Sequence, residues 1–187
     1  MTHSPEQSGS TPRAGIDPRS PRFGAAIMAV LLAITIILEL TRPSTIIGSF
    51  SYDNSAVGDF LILLPYRLGD PALWLLTLIS ALFAWGAFAG IRRHPYGALF
   101  RALLRPRLAP PTELEDAAPP TFAQGVGFVI TAAGVVLQLA GVPYALVVAA
   151  SAAFIAAFLN SVFAFCLGCQ IYLGLRRLGV LRRPATA

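Results

Sequence analysis

The chain has 187 residues, of which 56% are hydrophobic and only 12% are charged. Globular proteins carry roughly 25% charged residues, so an ordinary soluble domain is excluded. The net charge is +5, and all fourteen Lys or Arg residues are arginine. No arginine cluster forms a DNA- or RNA-binding motif. We therefore expect no nucleic-acid partner and take the lipid bilayer as the first partner of the chain.

The first long apolar stretch follows a polar leader. Residues 1–22 are rich in Ser, Thr, Pro and Gly, which predicts a disordered cytoplasmic leader. Residues 23–40 are an apolar run of eighteen residues with no small-residue cleavage site after it, so the run predicts a membrane helix rather than a removable signal peptide. At about 1.5 Å per residue it reaches roughly 27 Å, close to the thickness of the hydrocarbon core.

Three further apolar runs of similar length follow. They predict membrane spans at residues 72–91, 122–140 and 144–168. The predicted fold is therefore all-α, an integral membrane four-helix bundle over residues 23–178, with a cytoplasmic tail at 179–187. A shorter apolar stretch at residues 60–66 cannot cross a bilayer and predicts an interfacial or re-entrant turn.

A basic, proline-rich loop lies between the second and third spans, at residues 92–121. Four of its apolar residues recur at helical spacing: Leu99, Phe100, Leu103 and Leu104. With Arg101 and Arg105 alongside, they predict a short interfacial helix lying in the headgroup plane, apolar side toward the lipid.

The arginines predict the orientation. Twelve of the fourteen belong to the leader, the middle loop and the tail, whereas only Arg42 and Arg67 fall on the opposite face of the predicted bundle. Because basic loops stay in the cytoplasm, we expect a multi-pass protein of the plasma membrane with both termini cytoplasmic.

One motif in the chain has clear chemical potential, the pair Cys166 and Cys169 in Phe-Cys-Leu-Gly-Cys. Two thiols one helical turn apart can cooperate in dithiol exchange. The spacing also fits two small apolar packing residues or a metal site. A structural zinc needs four ligands and only His94 is an obvious addition, so we predict no metal within one chain. A continuous helix would hold the pair in poor geometry for an internal disulfide, although Gly168 would loosen it.

The depth of the cysteines follows from folding the last two spans about a turn near Val142. Counting residues from that turn places Cys166 level with Ala118 and Cys169 level with Glu115. Both thiols are then expected at the cytoplasmic headgroup level, beneath an acidic segment that opposes the thiolate form and ahead of arginines that favour it.

Polar residues within the spans carry no charge: Gln124, Gln138, Ser151 and Asn160. Asn160 is expected to form an interhelical hydrogen bond. Because no charged path crosses the predicted bundle, a transporter or channel is disfavoured.

Three segments together resemble a known family: residues 16–23 (IDPRSPRF), 105–124 (RPRLAPPTELEDAAPPTFAQ) and 159–169 (LNSVFAFCLGC). In this order they resemble the bacterial membrane family called "domain of unknown function 4395", although Thr121 stands where the family pattern has Arg. The resemblance implies a four-helix membrane protein with Cys-Leu-Gly-Cys in its last span. It also implies thioredoxin-like or sulfurtransferase neighbours, which favours the dithiol interpretation.

We therefore predict that Cys166 and Cys169 form a membrane-anchored dithiol partner of a cytoplasmic thioredoxin-like or sulfur-transfer protein. One cysteine would attack and the other would resolve, and with no second cysteine pair the electrons must come from a partner or a quinone. The alternative is a non-catalytic membrane scaffold that docks a cytoplasmic protein through the 92–121 loop. The sequence names no cofactor and leaves a homo-oligomer open.

Overall fold

The computed structural model describes residues 15–41, 64–65, 67–111 and 113–180. Over these residues the chain folds into six α-helices: α1 Arg19–Leu40, α2 Pro71–Phe88, α3 Pro95–Leu103, α4 Ala118–Leu139, α5 Ala145–Phe163 and α6 Leu167–Arg177. Two short 3₁₀ helices, Ile91–Arg93 and Arg105–Arg107, flank α3. The turn predicted at residues 60–66 lies largely outside the described residues.

Four of these helices, α1, α2, α4 and α5, are long and apolar enough to cross a membrane. Large apolar side chains remain exposed along all four, among them Val30, Trp74, Val129 and Val148. An apolar surface of this kind is stable against lipid and costly against water. The predicted all-α four-helix membrane bundle is therefore confirmed as the fold.

The bundle is held by close helix contacts. Helix α1 packs against α5, and α4 packs against both α2 and α5. Leu32, Leu76 and Leu146 are fully buried at the centre. A Cβ on Gly134 of α4 would collide with the Cβ of Ala149 on α5, so these two helices can approach only because a glycine stands there.

One end of the bundle gathers segments that are distant in sequence. The backbone of Ile16 exchanges two hydrogen bonds with that of Glu115, of 2.9 and 3.0 Å. The guanidinium of Arg19 donates to the carbonyl of Ala109 over 3.1 Å. Helix α1 begins at Arg19, within the segment predicted as a leader. The start of α1 is thereby tied to the loop that precedes α4.

The helix predicted in the middle loop is present as α3. Phe100 is only 1% exposed, and its ring lies 5.9 Å from that of Phe23 on α1. Leu99 and Leu103 point outward and are 40% and 50% exposed. One side of α3 is thus used to pack on the bundle, and contact of the outward leucines with headgroups stays a prediction.

His94 caps the start of α3 and is buried. Its Nδ1 accepts a hydrogen bond from the backbone N–H of Tyr96 at 3.3 Å, and its Nε2 lies 3.0 Å from the carbonyl of Leu82. This pairing fits a neutral ring with its proton on Nε2. Burial lowers the pKa of His94 below its ordinary value of 6.5.

This buried histidine predicts a loss of stability in acid. The unfolded ring takes up a proton more readily than the folded one, so its contribution is full above the ordinary pKa and disappears as pH falls through the lowered folded value. Thermal unfolding in detergent between pH 8 and 5 should show a slope of at most about 1.4 kcal/mol per pH unit from this group. His94→Asn, which keeps a capping side chain, should flatten that slope. An unchanged slope would contradict the assignment.

Candidate dithiol site

The last apolar stretch breaks just before the cysteines. Helix α5 ends at Phe163, and Ala164 adopts a left-handed conformation with φ 57° and ψ 21°. The N–H of Phe165 then donates to the carbonyl of Leu159 at 3.2 Å, which closes the helix end. The prediction of a helix running to residue 168 was wrong here, because alanine carries no sequence signal for a left-handed turn.

The left-handed alanine predicts an unusual pair of substitution effects. Ala164→Gly should raise the free energy of unfolding by about 1 kcal/mol, since glycine has no Cβ to oppose this conformation. The same change at Ala152, exposed inside helix α5, should lower it by about the same amount. Thermal unfolding of the two variants in one detergent would compare them. If both substitutions changed the free energy of unfolding in the same direction, the left-handed conformation of Ala164 would be contradicted.

The break places Cys166 at the beginning of a new helix. Cys166 is the N-cap residue of α6, and its Sγ accepts a hydrogen bond from the N–H of Cys169 at 3.3 Å. The two sulfurs are joined as a disulfide, with the Cα atoms 5.2 Å apart. The poor disulfide geometry predicted for a continuous helix is therefore avoided by starting the helix between the two residues. Of the two sulfurs, that of Cys166 therefore lies at the helix start, where backbone N–H groups point at it.

Helix α6 is pressed against α4 at Gly168. A Cβ on Gly168 would lie 2.6 Å from the Cα of Ala123, far inside normal contact distance. One turn further, the rings of Tyr172 and Phe122 lie 5.6 Å apart. Gly168 was expected to loosen the helix; it instead allows α6 to dock, which fixes the position of both cysteines.

A pocket of about 480 Å³ opens beside the cysteine pair. We call it the outer pocket; both cysteines line it, together with Arg22, Glu115 and Asp116. Glu115 and Cys169 line the same pocket, as expected from the count along the last two spans, while their depth at the headgroup level stays a prediction. Arg22 was missed as a site residue; its only sequence signal was its place in the first family-like segment. The cysteines are half-buried, so they can be reached from this side.

A second space of about 230 Å³ lies inside the bundle, and we call it the inner cavity. Its walls are mainly apolar and include four alanines of α5: Ala152, Ala153, Ala156 and Ala157. Asn160 and Cys166 line both the inner cavity and the outer pocket, whereas Cys169 lines the outer pocket alone. The interhelical hydrogen bond predicted for Asn160 stays a prediction.

His94 does not join the cysteines as a metal ligand. Both of its ring nitrogens are already engaged by Leu82 and Tyr96. Within the described part of the chain, no group of three or more His, Cys, Asp or Glu side chains could hold a metal ion.

Comparison with known proteins identifies a family and no activity. A family model described as "Domain of unknown function (DUF4395)" matches residues 16–177. No curated protein and no solved structure matches the chain. The function must accordingly be argued from the site.

Proposed function

The chain belongs to the family described as domain of unknown function 4395, and we propose that it works as a membrane-anchored dithiol that exchanges disulfides with a cytoplasmic protein. One observation carries the proposal: Cys166 and Cys169 form a disulfide at the start of α6, beside the outer pocket. Two bonded, reachable sulfurs with one at a helix N-terminus are suited to exchange.

The orientation supports a cytoplasmic partner. The described arginines of the leader, the middle loop and α6 belong to segments at the same end of the bundle as the cysteines. By the positive-inside rule this end faces the cytoplasm, with both termini inside and the protein in the plasma membrane. The outer pocket then opens where a cytoplasmic thioredoxin-like or sulfur-transfer protein can approach.

The exchange runs through Cys166. In the reducing direction its thiolate attacks a partner disulfide, forming a mixed disulfide and releasing one partner thiolate. Cys169 then attacks the Sγ of Cys166, which releases the second partner thiolate and restores the internal disulfide. Two electrons pass to the partner, with the two protons needed to neutralise its thiolates. The reverse sequence oxidises a reduced partner.

Membrane vesicles test both the placement and the chemistry. After reduction, a charged maleimide should label Cys166 and Cys169 in inside-out vesicles and leave them unlabelled in right-side-out vesicles. With oxidised thioredoxin on the reachable side and rapid acid quenching, reduced Cys169→Ser should yield a mixed disulfide through Cys166, because the internal resolving thiol is missing and only the released thioredoxin thiol can reverse the step. Cys166→Ser is the matched control and should trap little. Thiols that stay unlabelled from both sides after reduction would show buried packing residues and overturn the proposal.

A scaffold is the second candidate, and exposed apolar side chains of the middle loop favour it. Four leucines are each at least 40% exposed at the end of the bundle where the cysteines lie: Leu99, Leu103, Leu108 and Leu114. Apolar groups in such a loop could anchor a cytoplasmic protein without any sulfur chemistry. A scaffold predicts that the double variant Cys166→Ala, Cys169→Ala retains its bound partner in pull-downs, whereas the dithiol proposal predicts loss of every disulfide-linked complex.

A further inference from the structure

Cys166 stands at the boundary between two different environments. On one side the outer pocket is lined by charged residues such as Arg22 and Asp116, and on the other the inner cavity is lined mainly by carbon. Cys169 reaches only the outer pocket. A sulfur in this position can exchange with a protein on its polar side and react with an apolar molecule on its buried side.

One residue in the wall of the inner cavity carries an unsatisfied polar atom. Gln124 lines the cavity, and within the described residues the buried Oε1 of this side chain has no hydrogen-bond partner. A buried acceptor without a donor is costly, and the cost is greater within the hydrocarbon region, where no water can donate to it. The amide, which lies over Gly86 of α2, is therefore suited to a ligand that brings a hydroxyl group into an otherwise apolar space.

The inner cavity also adjoins the outer surface of the bundle. A groove of about 910 Å³ runs along α2 and α4, lined by Phe88, Phe122 and Phe128. Val126 and Ile130 line both the groove and the inner cavity. Since these helices are of membrane-spanning length, the groove faces lipid. A ligand with a compact ring and an apolar chain matches this pair of spaces.

We propose that the inner cavity binds the ring of a membrane quinone, which takes electrons from the Cys166–Cys169 dithiol while its chain lies in the groove. The inference rests on the proposed dithiol function and names its electron acceptor. The chain has two cysteines, so a pair that has been reduced by a partner needs a further two-electron acceptor. A quinone fits the apolar walls. Its reduced form carries a hydroxyl group that can donate a hydrogen bond to the Oε1 of Gln124.

The reaction balances between the dithiol and the quinone. The Cys166 thiolate adds to a ring carbon of the quinone, and Cys169 then attacks the Sγ of Cys166 and expels the ring. One S–S bond forms, and two electrons and two protons pass from the thiols to the two quinone oxygens, giving a hydroquinone. A reduced thioredoxin-like protein regenerates the dithiol through the outer pocket.

The test uses the full chain in lipid nanodiscs and decylubiquinone as the probe. Binding is measured with the reduced probe, because only a hydroquinone has a hydroxyl group to donate to Gln124. An azido derivative of decylubiquinol is photolabelled onto the Cys166→Ser, Cys169→Ser background, which keeps the cavity and removes the chemistry. Gln124→Leu should weaken labelling about tenfold, as expected for one lost hydrogen bond to a buried group. Ala156→Leu should abolish it by filling the cavity. Ala133→Leu, on an exposed face of α4 away from both spaces, is the control and should change nothing.

A second measurement separates this inference from the dithiol function. Pre-reduced wild type should reduce one decylubiquinone per disulfide formed, and the Ala156→Leu variant should lose this reaction while it still exchanges with thioredoxin. Labelling and reduction that are equal in all variants would overturn the inference and leave the dithiol function standing. Labelling of the cavity by an acyl-chain probe, unaffected by Gln124→Leu, would also overturn it, because the occupant would then be a phospholipid tail.

Discussion

Replacing Cys166 with serine is expected to lower the rate of disulfide exchange with thioredoxin by at least about 100-fold, because a serine hydroxyl does not ionise to a nucleophile at neutral pH. Cys166 is the residue whose sulfur accepts the N–H of Cys169 at the start of α6, and we therefore take it as the attacking residue. The rate would be followed as loss of free thiols from the reduced variant in nanodiscs.

Cys169→Ser is the matched control because it removes the other sulfur of the same pair. It should form the first mixed disulfide at close to the wild-type rate and go no further, since no internal thiol can resolve it and only the released thioredoxin thiol can reverse it. If Cys166→Ser exchanged as fast as wild type and Cys169→Ser did not, Cys169 would be the attacking residue. The proposed order of attack would then be wrong.

Gly168→Ala should destabilise the protein by about 1–3 kcal/mol, the usual cost of overpacking a tight contact. The added methyl group would lie 2.6 Å from the Cα of Ala123, and that backbone atom of α4 cannot move aside cheaply. Helix α6 must shift away, and Cys166 shifts with it. We therefore expect a lower unfolding temperature in detergent and slower exchange with thioredoxin in the same variant.

Gly174→Ala provides the control on the same helix. A Cβ on Gly174 meets nothing within 4 Å, so only helix propensity acts, and alanine is favoured over glycine by about 1 kcal/mol. The two Gly→Ala changes should thus have opposite signs. A stabilising Gly168→Ala would mean that α6 does not dock on α4 at this point.

The four long helices and the nearness of Glu115 to the cysteines could be predicted because both depend on distances along a helix. The length of an apolar run can be compared directly with the thickness of the bilayer. Counting outward from the turn near Val142 also predicted that Glu115 lies near the cysteines, and all three residues line the outer pocket. The short helix α3 was likewise readable from apolar spacing. These features are properties of single segments.

The features that create the site could not be predicted from the sequence, because each depends on contacts between segments. The left-handed turn at Ala164 has no glycine or proline to mark it, yet it makes Cys166 a helix cap. Arg22 joins the outer pocket only because α1 starts beside the loop. The inner cavity arises from how small residues on several helices face one another, so no single run predicts it.

The most direct test of the central claim is the redox state of Cys166 and Cys169 in native membranes. Free thiols would be counted by differential alkylation and mass spectrometry before and after reduced thioredoxin is added to inside-out vesicles. A working dithiol predicts that both thiols appear together after this addition and disappear together on mild oxidation. Two thiols that stay free under both conditions, or that remain unmodified even after a strong reductant, would contradict the account.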